Sequence, residues 1–195
     1  MTTPSSTYRI QFHKEFNFGD LEKQIPYLQD LGVDAIYASP IFKAVPGSQH
    51  GYDLTDSHQI NPEIGTLEQL RKISSALKKL GMKWIQDIVP NHMAFHHDNW
   101  RLMDVLKNGS SSPYMGYFDT VLSSDFMQGT LKLPVLGSDL EQCLKNSEIK
   151  ITSQNGEFYL QYFEQLFPIS PAAIEKFKLS GNTDFKDPEL LKKVL

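Results

Sequence analysis

Residues 83–92 read Lys-Trp-Ile-Gln-Asp-Ile-Val-Pro-Asn-His, and this stretch decides the fold class. Its first part is short and largely apolar, as expected for a strand that is covered on both faces of a parallel sheet. It ends by delivering a carboxylate, an amide and an imidazole, from Asp87, Asn91 and His92. Polar groups at the carboxyl ends of parallel strands are what α/β barrels use to build their sites. The stretch therefore predicts an α/β fold and the start of a candidate site.

Two further strands are predicted upstream of this stretch. Residues 7–12 alternate apolar and polar side chains of β-favouring types, and residues 33–38 form a short apolar run. Helical spacing of apolar residues lies between the strands, over residues 21–31 and 66–80, and a glycine follows each run. The order is strand, helix, strand, helix, strand, which predicts parallel strands joined by right-handed crossovers.

The connection over residues 39–65 is expected to be a long loop that carries function, because it is too long for a passive connector. It contains His50-Gly51-Tyr52-Asp53. If the strands are parallel, this cluster lies on the same rim as Asp87. Tyr52 offers an aromatic face that could stack on a sugar ring, and Asp53 could accept hydrogen bonds from hydroxyl groups or hold an arginine.

Structural interpretations of the same residues stay open at this point. Asp87 and Asn91 could simply fix the turn after a strand, with His92 a satisfied, half-buried histidine. Tyr52 could be a loop aromatic that plugs the top of a barrel. Two polar clusters on one rim favour a binding site over these alternatives.

Beyond residue 95 the pattern changes, which predicts a division into residues 1–95 and residues 96–195. The second part begins with a loop-rich stretch that shows no clean helical repeat. Asn155-Gly156 then predicts a type I′ turn in an antiparallel hairpin over residues 148–163. The last segment is expected to be helical in part, with Pro188 breaking or starting its final helix.

Composition excludes several function classes. The chain has 195 residues, a net charge of −4 and a pI near 5.8, so nucleic acid and anionic membrane surfaces are poor partners. Cys143 is the only cysteine, which excludes an internal disulfide framework. No apolar run approaches the roughly 18 residues of a membrane span, and no secretory signal is visible. We expect a cytoplasmic protein.

No cofactor is expected from the sequence. A glycine-rich phosphate loop does not follow the first predicted strand, and Gly-x-Ser-x-Gly is absent. His92, His96, His97 and Asp98 could suggest a metal site, since histidines four apart share a helix face. Pro90 and the preceding strand disfavour a helix there, so no metal is predicted.

The motifs resemble those of the α-amylase superfamily, glycoside hydrolase family 13. Residues 87–92 resemble that family's first signature region, at the end of barrel strand 3. Gly51-Tyr52-Asp53, with Asn61-Pro62 and Gly65-Thr66 behind it, resembles the segment that leads into barrel helix 2. The two segments together are specific for this family.

Further segments are similar to one group within the family. They are residues 6–12, 37–41, 46–53, 87–94, 108–109, 112–114, 118–119 and 133–137. Members of this group convert the reducing-end α-1,4 link of a maltooligosaccharide into the α,α-1,1 link of a trehalose unit by intramolecular transglycosylation. The resemblance implies the N-terminal part of a TIM (β/α)8 barrel, followed by the start of an inserted domain B. It also implies a maltooligosaccharide or another α-1,4-glucan as substrate.

The resemblance also implies roles for the residues of both clusters. His92 would contact the sugar at the cleavage subsite, and Tyr52 would stack on it. Asp87 and Asn91 would orient the site, with His50 in the same supporting cluster, and Asp53 would anchor an arginine.

The chain departs from the family in the number of its parallel strands. The nucleophile, the acid/base and the second aspartate of such barrels lie at the ends of strands 4, 5 and 7, whereas only three parallel strands are predicted here. A complete barrel needs about 250 residues. No catalytic residue is therefore assigned, and we expect an inactive, truncated enzyme. A fragment of another α-amylase-type hydrolase, a glucan-binding module and a small α/β domain with no sugar role remain as alternatives.

Overall fold

The computed structural model describes residues 3–119, 133–181 and 186–194. The chain divides into two compact units, residues 1–95 and residues 96–195. The first unit holds β1 (Thr7–Ile10), α1 (Phe18–Asp30), β2 (Ala35–Ala38), β3 (Phe42–Ala44), β4 (Leu54–Ile60), α2 (Leu67–Lys79) and β5 (Lys83–Gln86).

The first unit is built on a parallel sheet with the strand order β1-β2-β5. The predicted strand–helix–strand–helix–strand order is thus confirmed, although each strand is shorter than its apolar run. Ile10, Ile36 and Trp84 pack with the two helices in one hydrophobic core. Successive strand residues point to opposite faces. Arg9 and Tyr37, which are paired in register, therefore lie on the other face of the sheet.

A capping side chain starts each helix of the first unit. The Asn17 side chain accepts the backbone N–H of Gly19 at 2.9 Å and so starts α1. The Thr66 hydroxyl accepts the N–H of Gln69 at 3.2 Å and starts α2. Such caps satisfy donors that have no partner inside the helix. The apolar stripes of the helices then lie against the sheet.

The expectation that residues 39–65 form one long loop is wrong. Within this segment β3 and β4 pair in an antiparallel sheet with an irregular register. The sequence Leu-Thr-Asp-Ser-His-Gln-Ile of β4 is mostly polar, so it lacks the alternation by which a half-buried strand is found. The functional loop is consequently shorter, and it lies between the two strands.

The second unit contains helices and an antiparallel sheet. Its elements are α3 (Trp100–Asn108), two single turns of 3-10 helix (Gly109–Ser111 and Met115–Tyr117), α4 (Leu140–Lys145), β6 (Ile149–Gln154), β7 (Glu157–Tyr162), β8 (Gln165–Pro168), α5 (Pro171–Phe177) and α6 (Pro188–Val194). The predicted hairpin is confirmed, because Asn155 and Gly156 join β6 and β7 with φ values of 51° and 80°. Pro188 starts the final helix and does not break it, which is one of the two predicted possibilities.

Besides the two single turns of 3-10 helix, three elements of the second unit were not predicted, and one of them is α4, which begins at the cap residue Asp139. The loop-rich stretch contains α3, which begins at the cap residue Asn99 and buries Leu102 and Val105. β8 adds a third strand to the predicted hairpin. The remainder of the loop-rich prediction, from residue 120 on, lies outside the described residues. Across the described ranges, no helix is long and apolar enough to cross a membrane.

Candidate functional site

Asp87 is the centre of the site. It follows β5 directly, and its backbone N–H donates to the carbonyl of Ala38 at 2.9 Å, which continues the sheet by one residue. Three side chains donate hydrogen bonds to its Oδ2 atom: Tyr52 at 2.5 Å, Arg9 at 3.0 Å and Tyr37 at 3.4 Å. The structure thus brings the two predicted clusters together, through the contact between Tyr52 and Asp87.

Arg9 and Tyr37 are partners of Asp87 that the sequence did not predict, and Arg9 makes the more extensive contacts. Its Nη2 atom donates to the Tyr52 hydroxyl at 2.8 Å, and its guanidinium lies over the Tyr37 ring at 4.4 Å from the centroid. The available signal was its position in β1, one residue before the buried Ile10, which places Arg9 on the opposite face of the sheet. No spacing rule links it to Asp87, which is 78 residues away.

These contacts shift the pKa values of the groups involved. The hydrogen bond from Tyr52 is the largest cause that lowers the pKa of Asp87, and Arg9 lowers it further, whereas burial opposes both. The same bond to Asp87 raises the pKa of the Tyr52 phenol. Asp87 is therefore held as a carboxylate and Tyr52 as a neutral phenol. An ionised, triply hydrogen-bonded carboxylate is suited to hold its neighbours in place rather than to exchange protons.

The loop between β3 and β4 places Tyr52. Gly51 has a φ of 74°, and a Cβ atom there would lie 2.7 Å from the carbonyl oxygen of Pro40. Only glycine takes this conformation at such a close approach without strain. The Tyr52 N–H donates to Nδ1 of His50 at 3.0 Å, and the two rings lie 5.8 Å apart. His50 thus supports the backbone that carries Tyr52.

Asp53 lies in a contact with its own loop. Its Oδ1 atom accepts the Ser48 hydroxyl at 2.5 Å and lies 3.7 Å from His50 Nδ1. The arginine that contacts a site carboxylate is Arg9, and it lies on Asp87. In the part of the chain that the structure describes, Asp53 contacts Ser48 and His50 and not an arginine, so the arginine partner expected for Asp53 stays a prediction.

Asn91 and His92 are exposed, and their side chains contact each other. His92 Nδ1 lies 3.0 Å from Asn91 Oδ1. Shortly after them, the Ala94 N–H donates to the Leu54 carbonyl at 2.7 Å, which ties this segment to β4. An exposed imidazole and amide remain available for hydrogen bonding to hydroxyl groups.

The residues considered for a metal do not share a helix, since α3 begins only at Trp100. His96, His97 and Asp98 nevertheless place one ligand atom each within 4.8 Å of one another. His96 Nδ1 already accepts the N–H of Asp98 at 3.2 Å, so that atom would have to give up this bond to ligate a metal. We assign no metal to this turn.

Comparison with known proteins decides the family. The family model described as "Alpha amylase, catalytic domain" matches residues 9–168, which include every residue of the site. The chain belongs to the alpha-amylase family. Its parallel strands and crossover helices are therefore the N-terminal part of an alpha-amylase-type TIM barrel, and the predicted fold class is confirmed.

Similar proteins narrow the resemblance. The chain is 43% identical over 141 residues to a protein of Mycobacterium tuberculosis whose name is that of a maltooligosyl trehalose synthase. The match covers 69% of this chain and 18% of that protein. It is 31% identical over 170 residues to a salivary alpha-glucosidase of Anopheles gambiae, covering 82% of this chain and 27% of that protein.

Solved structures point to the same group. A crystal structure of a maltooligosyl trehalose synthase is similar with a TM-score of 0.82 and 40% identity, covering 99% of this chain and 24% of that one. The maltooligosyltrehalose synthase of Arthrobacter ramosus is similar with a TM-score of 0.78 and 35% identity, covering 94% and 22%. The chain thus spans about a fifth to a quarter of the length of these relatives.

Proposed function

We propose that this alpha-amylase-family chain belongs to a trehalose-forming intramolecular transglycosylase and supplies one wall of its glucan-binding cleft. The similarity to maltooligosyl trehalose synthases supports this assignment. The substrate would be a maltooligosaccharide, whose reducing-end link is rearranged to a trehalosyl unit.

One observation supports the role of this wall: the aromatic side chain of Tyr52 is held by two charged partners, Arg9 on β1 and Asp87 directly after β5. The Tyr52 hydroxyl contacts both Asp87 and Arg9. A ring held in this way offers an apolar face to the C–H groups of a sugar at little entropic cost. Tyr52 would stack on the glucosyl ring, and the hydrogen bond to Asp87 would hold the Tyr52 ring in place.

The exposed pair of Asn91 and His92 would add hydrogen bonds to the sugar hydroxyl groups. His92 would contact the sugar at the cleavage subsite, with Asn91 orienting its ring through the 3.0 Å contact. Asp53 would bind a hydroxyl group through the carboxylate oxygen that Ser48 does not occupy. His50 would act indirectly, since it supports the Tyr52 backbone.

Bond cleavage would rely on carboxylates outside this group. Retaining glycosidases place a nucleophile and an acid/base about 5 Å apart. Asp87 accepts three hydrogen bonds and forms an ion pair with Arg9, so it is neither a free nucleophile nor a proton donor. We accordingly assign no catalytic carboxylate among the described residues.

Calorimetric titration of the chain with maltohexaose tests the role of Tyr52. We expect Tyr52→Ala to weaken binding about tenfold, since covering roughly 60 Å² of aromatic surface with the C–H face of a glucosyl ring is worth about 1.5 kcal/mol. Tyr27→Ala is the matched control, because Tyr27 is an exposed tyrosine on α1 outside the site. Equal affinity of the Tyr52 and Tyr27 variants would contradict the proposal, and so would a wild-type chain that does not bind maltohexaose.

A further inference from the structure

We propose that Arg9 is a positioning residue that fixes the ring of Tyr52 in its sugar-stacking orientation. The inference rests on the proposed role of Tyr52 and assigns a task to a residue that the proposed function leaves without one. Its basis is the geometry of the guanidinium. We call Asp87, Tyr52, Tyr37 and Arg9 the Asp87 cluster, and Arg9 contacts each of the other three.

Three hydrogen bonds close a triangle around the Tyr52 hydroxyl. Arg9 donates from Nη1 to Asp87 at 3.0 Å and from Nη2 to Tyr52 at 2.8 Å, and Tyr52 donates to Asp87 at 2.5 Å. If the Tyr52 hydroxyl were bonded to Asp87 alone, the phenol ring could still rotate about that single hydrogen bond. The second contact, from Arg9, restricts that movement. The tilt of the Tyr52 ring then follows from the position of Arg9.

Arg9 is itself held by the sheet. Its guanidinium lies over the ring of Tyr37, 4.4 Å from the centroid, and the two residues are paired in register between β1 and β2. The Tyr37 hydroxyl also donates to Asp87 at 3.4 Å. A loop residue, Tyr52, is thereby fixed by three side chains that lie on or directly after strands. Groups on strands hold a site more precisely than groups on loops.

Lysine could not perform the same task. The guanidinium is a planar fork that donates in two directions at once and stacks on aromatic faces, whereas an ammonium group is a point charge on a flexible chain. A lysine in place of Arg9 would keep the charge beside Asp87 but would lose either the contact to Tyr52 or the stacking on Tyr37. The two functions of Arg9, charge and orientation, can therefore be separated by experiment.

The test combines Arg9→Met and Arg9→Lys with NMR relaxation of ring-labelled tyrosine and with maltohexaose titration. Arg71→Met is the matched control, because Arg71 is an exposed arginine on α2 outside the cluster. We expect the order parameter of the Tyr52 ring to fall in Arg9→Met, to fall less in Arg9→Lys, and to stay unchanged in the control. Maltohexaose affinity should drop about fivefold or more in Arg9→Met, because a mobile ring loses the benefit of being held in place before binding.

An unchanged order parameter of the Tyr52 ring in folded Arg9→Met would overturn the inference, whatever happens to affinity. If Arg9→Met does not fold, Arg9→Lys decides in the same way, with circular dichroism as the check of folding. If the ring loses order but the wild-type chain does not bind maltohexaose, the positioning role stands and the proposed function fails. The two readouts thus separate the two claims.

Discussion

The carboxylate of Asp87 receives more hydrogen bonds than any turn after a strand requires. Asp87 would need only its backbone to continue the sheet, yet its side chain links β1, β2 and the loop that carries Tyr52. Its charge is balanced locally by Arg9, so it can remain ionised in a partly buried place. At the scale of single residues, the site is an organised support for one aromatic ring.

Tyr52→Phe should separate the hydroxyl of this residue from its ring. The variant removes the strongest cause that lowers the pKa of Asp87, so that pKa should rise toward its ordinary value of 3.8. We expect a loss of about 1 kcal/mol in the free energy of unfolding near pH 7. The pKa is measured by carbon-13 NMR of the carboxyl group.

The pH dependence of this loss has a definite sign. A carboxyl group whose pKa is lowered in the folded state stabilises the fold above its unfolded pKa, and this stabilisation disappears as the pH falls through the folded value. The difference between wild type and Tyr52→Phe should therefore be full at about pH 6 and shrink below about pH 4. A difference that grows on acidification would contradict the assignment of Asp87.

Gly51→Ala tests the close approach that sets the backbone of Tyr52. The added Cβ would meet the Pro40 carbonyl oxygen at 2.7 Å, in addition to the cost of a positive φ. Gly47→Ala is a matched control with a φ of 79° and nothing within 4 Å of the new atom. We expect Gly51→Ala to lower the free energy of unfolding by about 1–3 kcal/mol more than the control in urea titrations. Equal losses would show that the loop relaxes without cost.

At the scale of elements, the sequence predicted those parts whose signals are local. Apolar spacing predicted α1 and α2, and Asn155-Gly156 predicted the turn of the hairpin in the second unit. β4 was missed because its polar side chains give no alternation. α3 was missed because its short apolar stripe is interleaved with charged residues.

The candidate site was predictable to the same extent. Tyr52 lies in the segment between β2 and α2, and Asp87 directly follows β5, so the parallel order of β2 and β5 predicted that both lie on one rim. Arg9 could not be found in this way, because its contact with Asp87 depends on the registry of β1 against β2 and on side-chain reach. Ser48 was missed as a partner of Asp53 for a related reason, since a hydroxyl five residues away leaves no sequence signature.

The packing of α2 on the sheet offers a test at the same scale. Leu77 is 2% exposed in the core of the first unit, whereas Leu80 at the end of the same helix is 38% exposed. Leu77→Ala should cost about 2–5 kcal/mol, through lost burial and the cavity that remains. Leu80→Ala should cost about 0.5 kcal/mol, and similar losses in both would contradict the packing of the helix. Thermal or urea unfolding provides the measurement.

At the scale of the whole molecule, the parallel sheet of the described residues has three strands, with β1 and β5 at its edges. Ile85 on β5 is 39% exposed and Ile88 just beyond it is 59% exposed. In an alpha-amylase-type barrel, further strands would cover such positions. The three-stranded sheet therefore resembles part of a barrel sheet, in agreement with the chain covering 24% of a similar solved structure.

We expect the 195-residue chain to form no product from maltohexaose. The described residues would supply the proposed binding wall, but Asp87 is held by Tyr52 and Arg9, and no pair of free carboxylates is assigned to the reaction. The measurement is chromatographic separation of the oligosaccharides after prolonged incubation, which distinguishes non-reducing trehalosyl products from maltohexaose. A complete maltooligosyl trehalose synthase is the positive control. Any trehalosyl oligosaccharide formed by the chain would refute the assignment of a wall without catalytic groups.

The division of the chain into two units distributes its two tryptophans evenly. Trp84 belongs to the first unit, where its ring stacks on Phe12 with centroids 6.2 Å apart, and Trp100 belongs to the second, where it meets the Tyr114 ring edge-on at 4.8 Å. Each unit therefore carries its own fluorophore. Trp100→Phe and Trp84→Phe would yield emission signals that report on one unit at a time, so an optical melt could reveal whether the two units unfold together.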